Sequence, residues 1–211
     1  MIRHASPNFG PRRDGLTPSL IVLHYTAMSS AAAALERLCD PLAEVSAHYL
    51  IGNDGTLWQL VDEEMRAWHA GAGEWRGQDD INSRSIGIEL DNTGRHPFSE
   101  PQMRALEALL PGIMARWEIA PEGVIGHSCM APGRKADPGE RFDWARLARQ
   151  GLAAMPGTGE VPAGARLRDL ARAAGFTAEA DDETLLAAVR LRYRPWGRGG
   201  VTCDDLRVLQ G

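Results

Sequence analysis

Residues 19–25 read SLIVLHY, an unbroken apolar and β-branched run that stops at a histidine and a tyrosine. Such a run predicts a buried strand, and a buried strand needs neighbours in a sheet and other elements covering it. The following residues supply them. SSAAAALERLC (29–39) sets serine before a run of Ala and Leu and predicts a helix. SAHYLIGNDGTLWQLV (46–61) places two strand-like runs on either side of Asn53-Asp54-Gly55, the signature of a hairpin. RSIGIEL (84–90) predicts a fourth strand. SEPQMRALEALLPGIMARW (99–117) predicts a long helix, with Ser99 as cap, Pro101 in the first turn and Pro111 inside. Strands and helices mix, with a hairpin in the series, so the expected class is α/β or α+β: a mixed central sheet covered by helices.

The texture changes near residue 155. MPGTGEVPAG (155–164) is rich in Gly and Pro, and beyond it ARLRDLARAAGF and DDETLLAAVRLRYRPW have helical spacing. The expected division is a catalytic domain over 1–154, a linker over 155–163 and a small helical module over 164–211. Net charge is −5 with no long basic run, which argues against nucleic acid as a partner. Cys39, Cys129 and Cys203 are far apart and odd in number, which argues against a disulfide framework and fits a reducing compartment or metal chemistry. The polar first fifteen residues show no apolar core of a secretory signal, and no stretch approaches the roughly 18 apolar residues of a membrane span. The expected location is therefore the cytoplasm, or the periplasm if a leader has been removed.

The stretch GHSCMAPGRKADPG (126–139) concentrates His127, Cys129, Lys135 and Asp137 on a segment broken by Gly and Pro. With the strand-end His24, two imidazoles and one carboxylate become available. Three such ligands and one open position are the layout of a catalytic zinc site. In SLIVLHY, His24 shares a face with Leu20 and Val22. In SIGIELD, Ile86, Ile88 and Leu90 share one face, and Gly87 and Glu89 the other. A carboxylate in so apolar a strand is either salt-bridged to an arginine or a general base beside a metal-bound water. Lys135 and Asp137 are two apart in a segment that Pro138 biases toward extended backbone, so their side chains point the same way. A lysine there could stabilise the oxyanion formed when water attacks an amide carbonyl.

LIVLHYTAM, SAHYLIGNDGTLWQLVDEEMRAWHAG, NSRSIGIEL and VIGHSCMAPGRKADPGERFDW together resemble the type 2 N-acetylmuramoyl-L-alanine amidases, zinc enzymes related to phage lysozyme-type amidases and peptidoglycan recognition proteins. The resemblance covers roughly residues 5–150. It implies a mixed sheet around a zinc cleft. It also implies cleavage of the amide between the lactyl group of N-acetylmuramic acid and the L-alanine of the stem peptide; with no leader visible the expected substrate is a 1,6-anhydro-muropeptide, whereas a wall-binding tail would favour polymeric peptidoglycan. The family's zinc ligands fall on His24, His127 and Asp137, its acid/base glutamate on Glu89 and its loop lysine on Lys135. Some relatives carry a tyrosine where this chain has Ala47, and some a cysteine where Asp137 stands; Cys129 is the competing ligand to weigh. His48 is expected to be a packed, hydrogen-bonded residue. Trp68 and His69 are expected to line the cleft, and Arg84 joins them as a candidate substrate-binding residue. The tail resembles the small peptidoglycan-binding module of some relatives. The alternative function is a peptidoglycan recognition protein that binds without cutting.

Overall fold

The computed structural model describes residues 1–210. Its strands, in chain order, are β1 (Ile2–Arg3), β2 (Phe9–Pro11), β3 (Leu20–Tyr25), β4 (Tyr49–Ile51), β5 (Leu57–Gln59), β6 (Met65–Ala67), β7 (Ser85–Leu90) and β8 (Val124–Gly126). The α-helices are α1 (Ala31–Cys39), α2 (Ile81–Arg84), α3 (Glu100–Trp117), α4 (His127–Met130), α5 (Trp144–Arg149), α6 (Leu167–Ala174), α7 (Asp182–Tyr193) and α8 (Cys203–Arg207). The apolar run becomes β3, an interior strand hydrogen-bonded to parallel neighbours on both sides. The six-stranded sheet has the order β1-β5-β4-β7-β3-β8 and is parallel except for the hairpin pair β4/β5; β2 and β6 form a separate antiparallel pair. The hairpin turns through Gly55 at φ 85°, a conformation that costs glycine little. Thr56 closes it by donating its N–H to Asp54 Oδ1 at 2.9 Å.

Alternation along β3 and β7 sends the two sets of side chains into different cores. Ile21, Leu23, Ile86, Ile88 and Leu90 pack under α3 with Leu106, Leu110 and Ile113. That helix is capped by Ser99, which accepts from Gln102 N at 3.3 Å, and it runs unbroken through Pro111. On the opposite face Leu50 and Leu60 meet Ala34 and Leu38 of α1.

The remaining part of that face is covered by the C-terminal helices. Val22, Trp75, Ile125, Cys129 and Met130 share one apolar cluster with Leu167, Phe176, Leu185, Leu186 and Val189. The ring of Phe176 stands edge-on to Trp75 at 5.0 Å, and the buried Arg192 lies 4.1 Å over the ring of Trp144 while donating to the Ala154 carbonyl at 3.0 Å. The stretch expected to be a linker has no regular structure, yet Gly157 and Gly159 donate to the carbonyls of Val208 and Gln210 at 2.9 and 3.2 Å. The structure thus seats the tail on the sheet as part of its core.

Candidate active site

β7, β3 and β8 are adjacent and parallel, so their carboxyl ends open on one edge, the place where open α/β sheets bind ligands. His24 and Glu89 are register partners near the ends of β3 and β7, and His127 follows β8 as the first residue of α4. Asp137 returns to the same edge on the loop after α4, held by Ser128 N–H donating to its carbonyl at 3.0 Å.

Three donor atoms converge there. His24 Nδ1 and His127 Nδ1 are 2.9 Å apart, and Asp137 Oδ2 lies 2.8 Å from the first and 3.0 Å from the second. The far side of each ring shows where its proton is. His127 Nε2 faces the Ala70 carbonyl at 2.8 Å, and a carbonyl can only accept, so in the neutral ring Nε2 carries the proton and Nδ1 is bare. His24 Nε2 faces His69 Nδ1 at 3.0 Å. His69 Nε2 lies 3.2 Å from Ser85 Oγ, whose hydroxyl donates to the Ile81 carbonyl at 2.5 Å. Burial, with His127 close by, pushes His24 down to about 4, which keeps the ring neutral. Three potential ligand atoms therefore face one another at close range, and two imidazoles with one carboxylate are zinc-type ligands.

Glu89 stands beside this group with Oε2 buried and without a hydrogen-bond partner. Burial pushes its carboxyl up to about 8, the charge of Asp137 adds to the shift and Lys135 opposes it. A carboxyl with one oxygen buried and unpaired is costly, and such groups cluster where acid–base chemistry is done. Among the described residues no arginine pairs with it, which removes the salt-bridge reading. The cleft in front has a volume of about 570 Å³ and is lined by Met28, Arg37, Trp68, His69, Glu89 and the exposed Lys135, among others.

The structure leaves some sequence candidates elsewhere. Arg84 is outside the cleft lining. As the last residue of α2 it sits at the start of β7, whereas Glu89 lies at the strand's far end, and its guanidinium bonds the Asp79 carbonyl and Gln78 Oε1. Cys129 packs in the apolar cluster under the tail and is absent from the converging donor set. His48 is fully buried; it accepts from Gly87 N–H at 2.9 Å and donates to the Met65 carbonyl at 3.0 Å, with burial pushing it down to about 3. Ala47 is buried as well. Asn82 and Arg134 were not singled out from sequence. Asn82 Oδ1 accepts from both His69 N and Ala70 N, and Arg134 donates to the Ala70 carbonyl at 2.7 Å and to that of Ala72.

The family model described as N-acetylmuramoyl-L-alanine amidase matches residues 14–140, which hold the whole converging set. This chain belongs to that amidase family. Among its relatives, the N-acetylmuramoyl-L-alanine amidase AmiD of Escherichia coli K12 is 42% identical over 153 residues, covering 65% of this chain and 54% of the relative. The chain thus spans about half of AmiD's length. The 1,6-anhydro-N-acetylmuramyl-L-alanine amidase AmpD of Citrobacter freundii is 35% identical over 162 residues, covering 69% of this chain and 87% of AmpD. The solved complex of E. coli AmiD with the substrate anhydro-N-acetylmuramic acid-L-Ala-D-gamma-Glu-L-Lys superposes with a TM-score of 0.81 at 33% identity, covering 93% of this chain and 89% of that one. The amidase fold expected from the motifs is the fold observed, and in AmiD the match extends over most of the tail.

Proposed function

We propose that this chain is a zinc-dependent amidase that hydrolyses the amide between the lactyl group of 1,6-anhydro-N-acetylmuramic acid and the L-alanine of the stem peptide. The observation that carries the reading is the meeting of His24 Nδ1, His127 Nδ1 and Asp137 Oδ2 within 3.0 Å of one another. These three atoms would hold zinc, which when bound supplies Lewis acidity and a nucleophile at neutral pH. Glu89 takes the proton of the attacking water and gives it to the departing alanine nitrogen, for which a carboxyl raised to about 8 is suited because it exchanges protons near neutral pH. Lys135, at the mouth of the cleft, offers its ammonium to the carbonyl oxygen as negative charge grows on it. Trp68 offers an aromatic wall to the sugar or the peptide. One water is consumed, the amide C–N bond breaks, and a lactyl carboxylate and a free peptide amine leave.

The substrate named with AmiD, an anhydro-muropeptide, supports the choice of substrate class. We assign residues 1–154 to catalysis and the helices beyond 164 to holding peptidoglycan fragments beside the cleft. No helix among the described residues is long and apolar enough to cross a membrane. The unpaired thiols of Cys39, Cys129 and Cys203 favour the cytoplasm as the working compartment. The reading is tested by metal analysis: about one zinc per chain, lost reversibly to a chelator together with turnover, and lost outright in His24→Ala and Asp137→Ala. A protein that turns over muropeptides without zinc, or that keeps zinc in both variants, would refute it. Digesting sacculi and anhydro-muropeptides side by side tests the substrate; faster release from sacculi would count against the anhydro form.

A further inference from the structure

We propose that His69 is a positioning residue: it holds the proton of His24 on Nε2, so that Nδ1 is presented bare to the metal, with Ser85 and Asn82 as its supports. The inference rests on the zinc reading of the site.

The outer nitrogen of a metal-binding histidine usually donates to a carboxylate, a backbone carbonyl or a water. His127 follows that habit through the Ala70 carbonyl. His24 does not, because its partner is another imidazole, and a neutral imidazole can act as donor or acceptor at either nitrogen. The choice is made one step further out. The Ser85 hydroxyl gives its proton to the Ile81 carbonyl, so Ser85 Oγ can only accept from His69 Nε2–H at 3.2 Å. His69 Nδ1 is then the acceptor, and His24 Nε2 the donor at 3.0 Å. The rival arrangement is close by: with its proton on Nδ1, His24 would donate to Asp137 Oδ2, 2.8 Å away, and the site would close on itself. Preventing that closure is what the chain of hydrogen bonds does.

Two further features belong to the same device. The single side-chain oxygen of Asn82 accepts from His69 N at 3.0 Å and Ala70 N at 2.8 Å, fixing together the residues that support the two ligand rings. Gly87 gives the His69 ring its seat, since a Cβ there would lie 2.4 Å from His69 Cγ.

The test uses the whole chain, stripped of metal, and zinc alone. His69→Leu removes the acceptor, His69→Asn keeps an acceptor oxygen near the position of Nδ1, and Ser85→Ala frees the His69 tautomer. Zinc affinity is measured by competition with a chromogenic chelator, and the protonated nitrogen of His24 is read from ¹⁵N NMR of the metal-free protein. The expected result is zinc binding weakened about 10- to 100-fold in His69→Leu, with the His24 proton moving to Nδ1, a smaller loss in Ser85→Ala and recovery in His69→Asn. If His69→Leu does not fold, the other two variants decide. Affinities within about twofold of wild type, with the proton still on Nε2, overturn the inference and leave the zinc reading standing. A wild-type protein that takes up no zinc overturns both.

Discussion

The carboxyl edge of the sheet and the C-terminal helices lie on the same sheet face and are built from opposite materials. At the edge, His24, His127, Asp137 and Glu89 are arranged by hydrogen bonding and strand register. In the tail, Phe176, Leu185, Leu186 and Val189 are packed by apolar contact. The two meet in the one-turn helix α4, where His127 points into the donor set while Cys129 and Met130 pack under the tail. The tail thus packs directly against the short helix that carries a ligand.

The strongest way to break this contrast is to remove residues 158–211. Each large apolar side chain lost from the shared cluster forfeits about 1.5–3 kcal/mol, against a total stability of about 5–15 kcal/mol for a typical domain. The truncated chain should fail to give a cooperative melt by circular dichroism; if it melts like the whole chain and binds zinc, the tail is a separable module after all. Arg192→Met is a milder version. It removes the guanidinium over Trp144 and the bond to Ala154, and should cost about 2–4 kcal/mol in denaturant titration while leaving zinc affinity unchanged. A change in zinc affinity with no loss of stability would reverse the roles given to the two regions. Cys129→Ser should cost about 1 kcal/mol, since it puts a hydroxyl into an apolar cluster, and keep its zinc. Loss of zinc there would make Cys129 a ligand.

A further handle is pH. His48 is neutral in the folded chain down to about 3, whereas in the unfolded chain it takes a proton below its ordinary 6.5. Unfolding is therefore favoured as pH falls through that window, by up to about 1.4 kcal/mol per pH unit for one proton. His48→Asn should flatten this part of the stability profile; an unchanged profile would mean that His48 is not the group responsible.

Much of the edge could be read from sequence because its parts carry strong local signals. An apolar strand that ends in histidine, and a glutamate on the wrong parity of SIGIEL, point to one end of two strands, and parallel pairing puts those ends together. The same rule explains the placing of Arg84: it opens β7, so the strand's own length separates it from the edge that Glu89 occupies. β8 is only three residues long and gives no periodic signal, although it carries the chain into His127. The role of His69 depends on contacts from β7 and α2, which no spacing reveals; the one trace in sequence is Gly87, a glycine in the middle of a strand where no turn is needed. The tail's helices were legible from their spacing, and the residues they pack against were not, because an apolar helix face does not say what will cover it.

The central claim is that Glu89 moves the proton in an amide hydrolysis carried out beside the three ligands. It is tested most directly by comparing wild type with Glu89→Gln on a purified anhydro-muropeptide tripeptide, with mass spectrometry of the products and zinc content measured on the same samples. The account predicts free tripeptide and anhydro-N-acetylmuramic acid from wild type, a rate at least about 100-fold lower for Glu89→Gln, and equal zinc in both. Equal rates would contradict it, and so would a wild type that binds the muropeptide and leaves it uncut, the behaviour of a recognition protein.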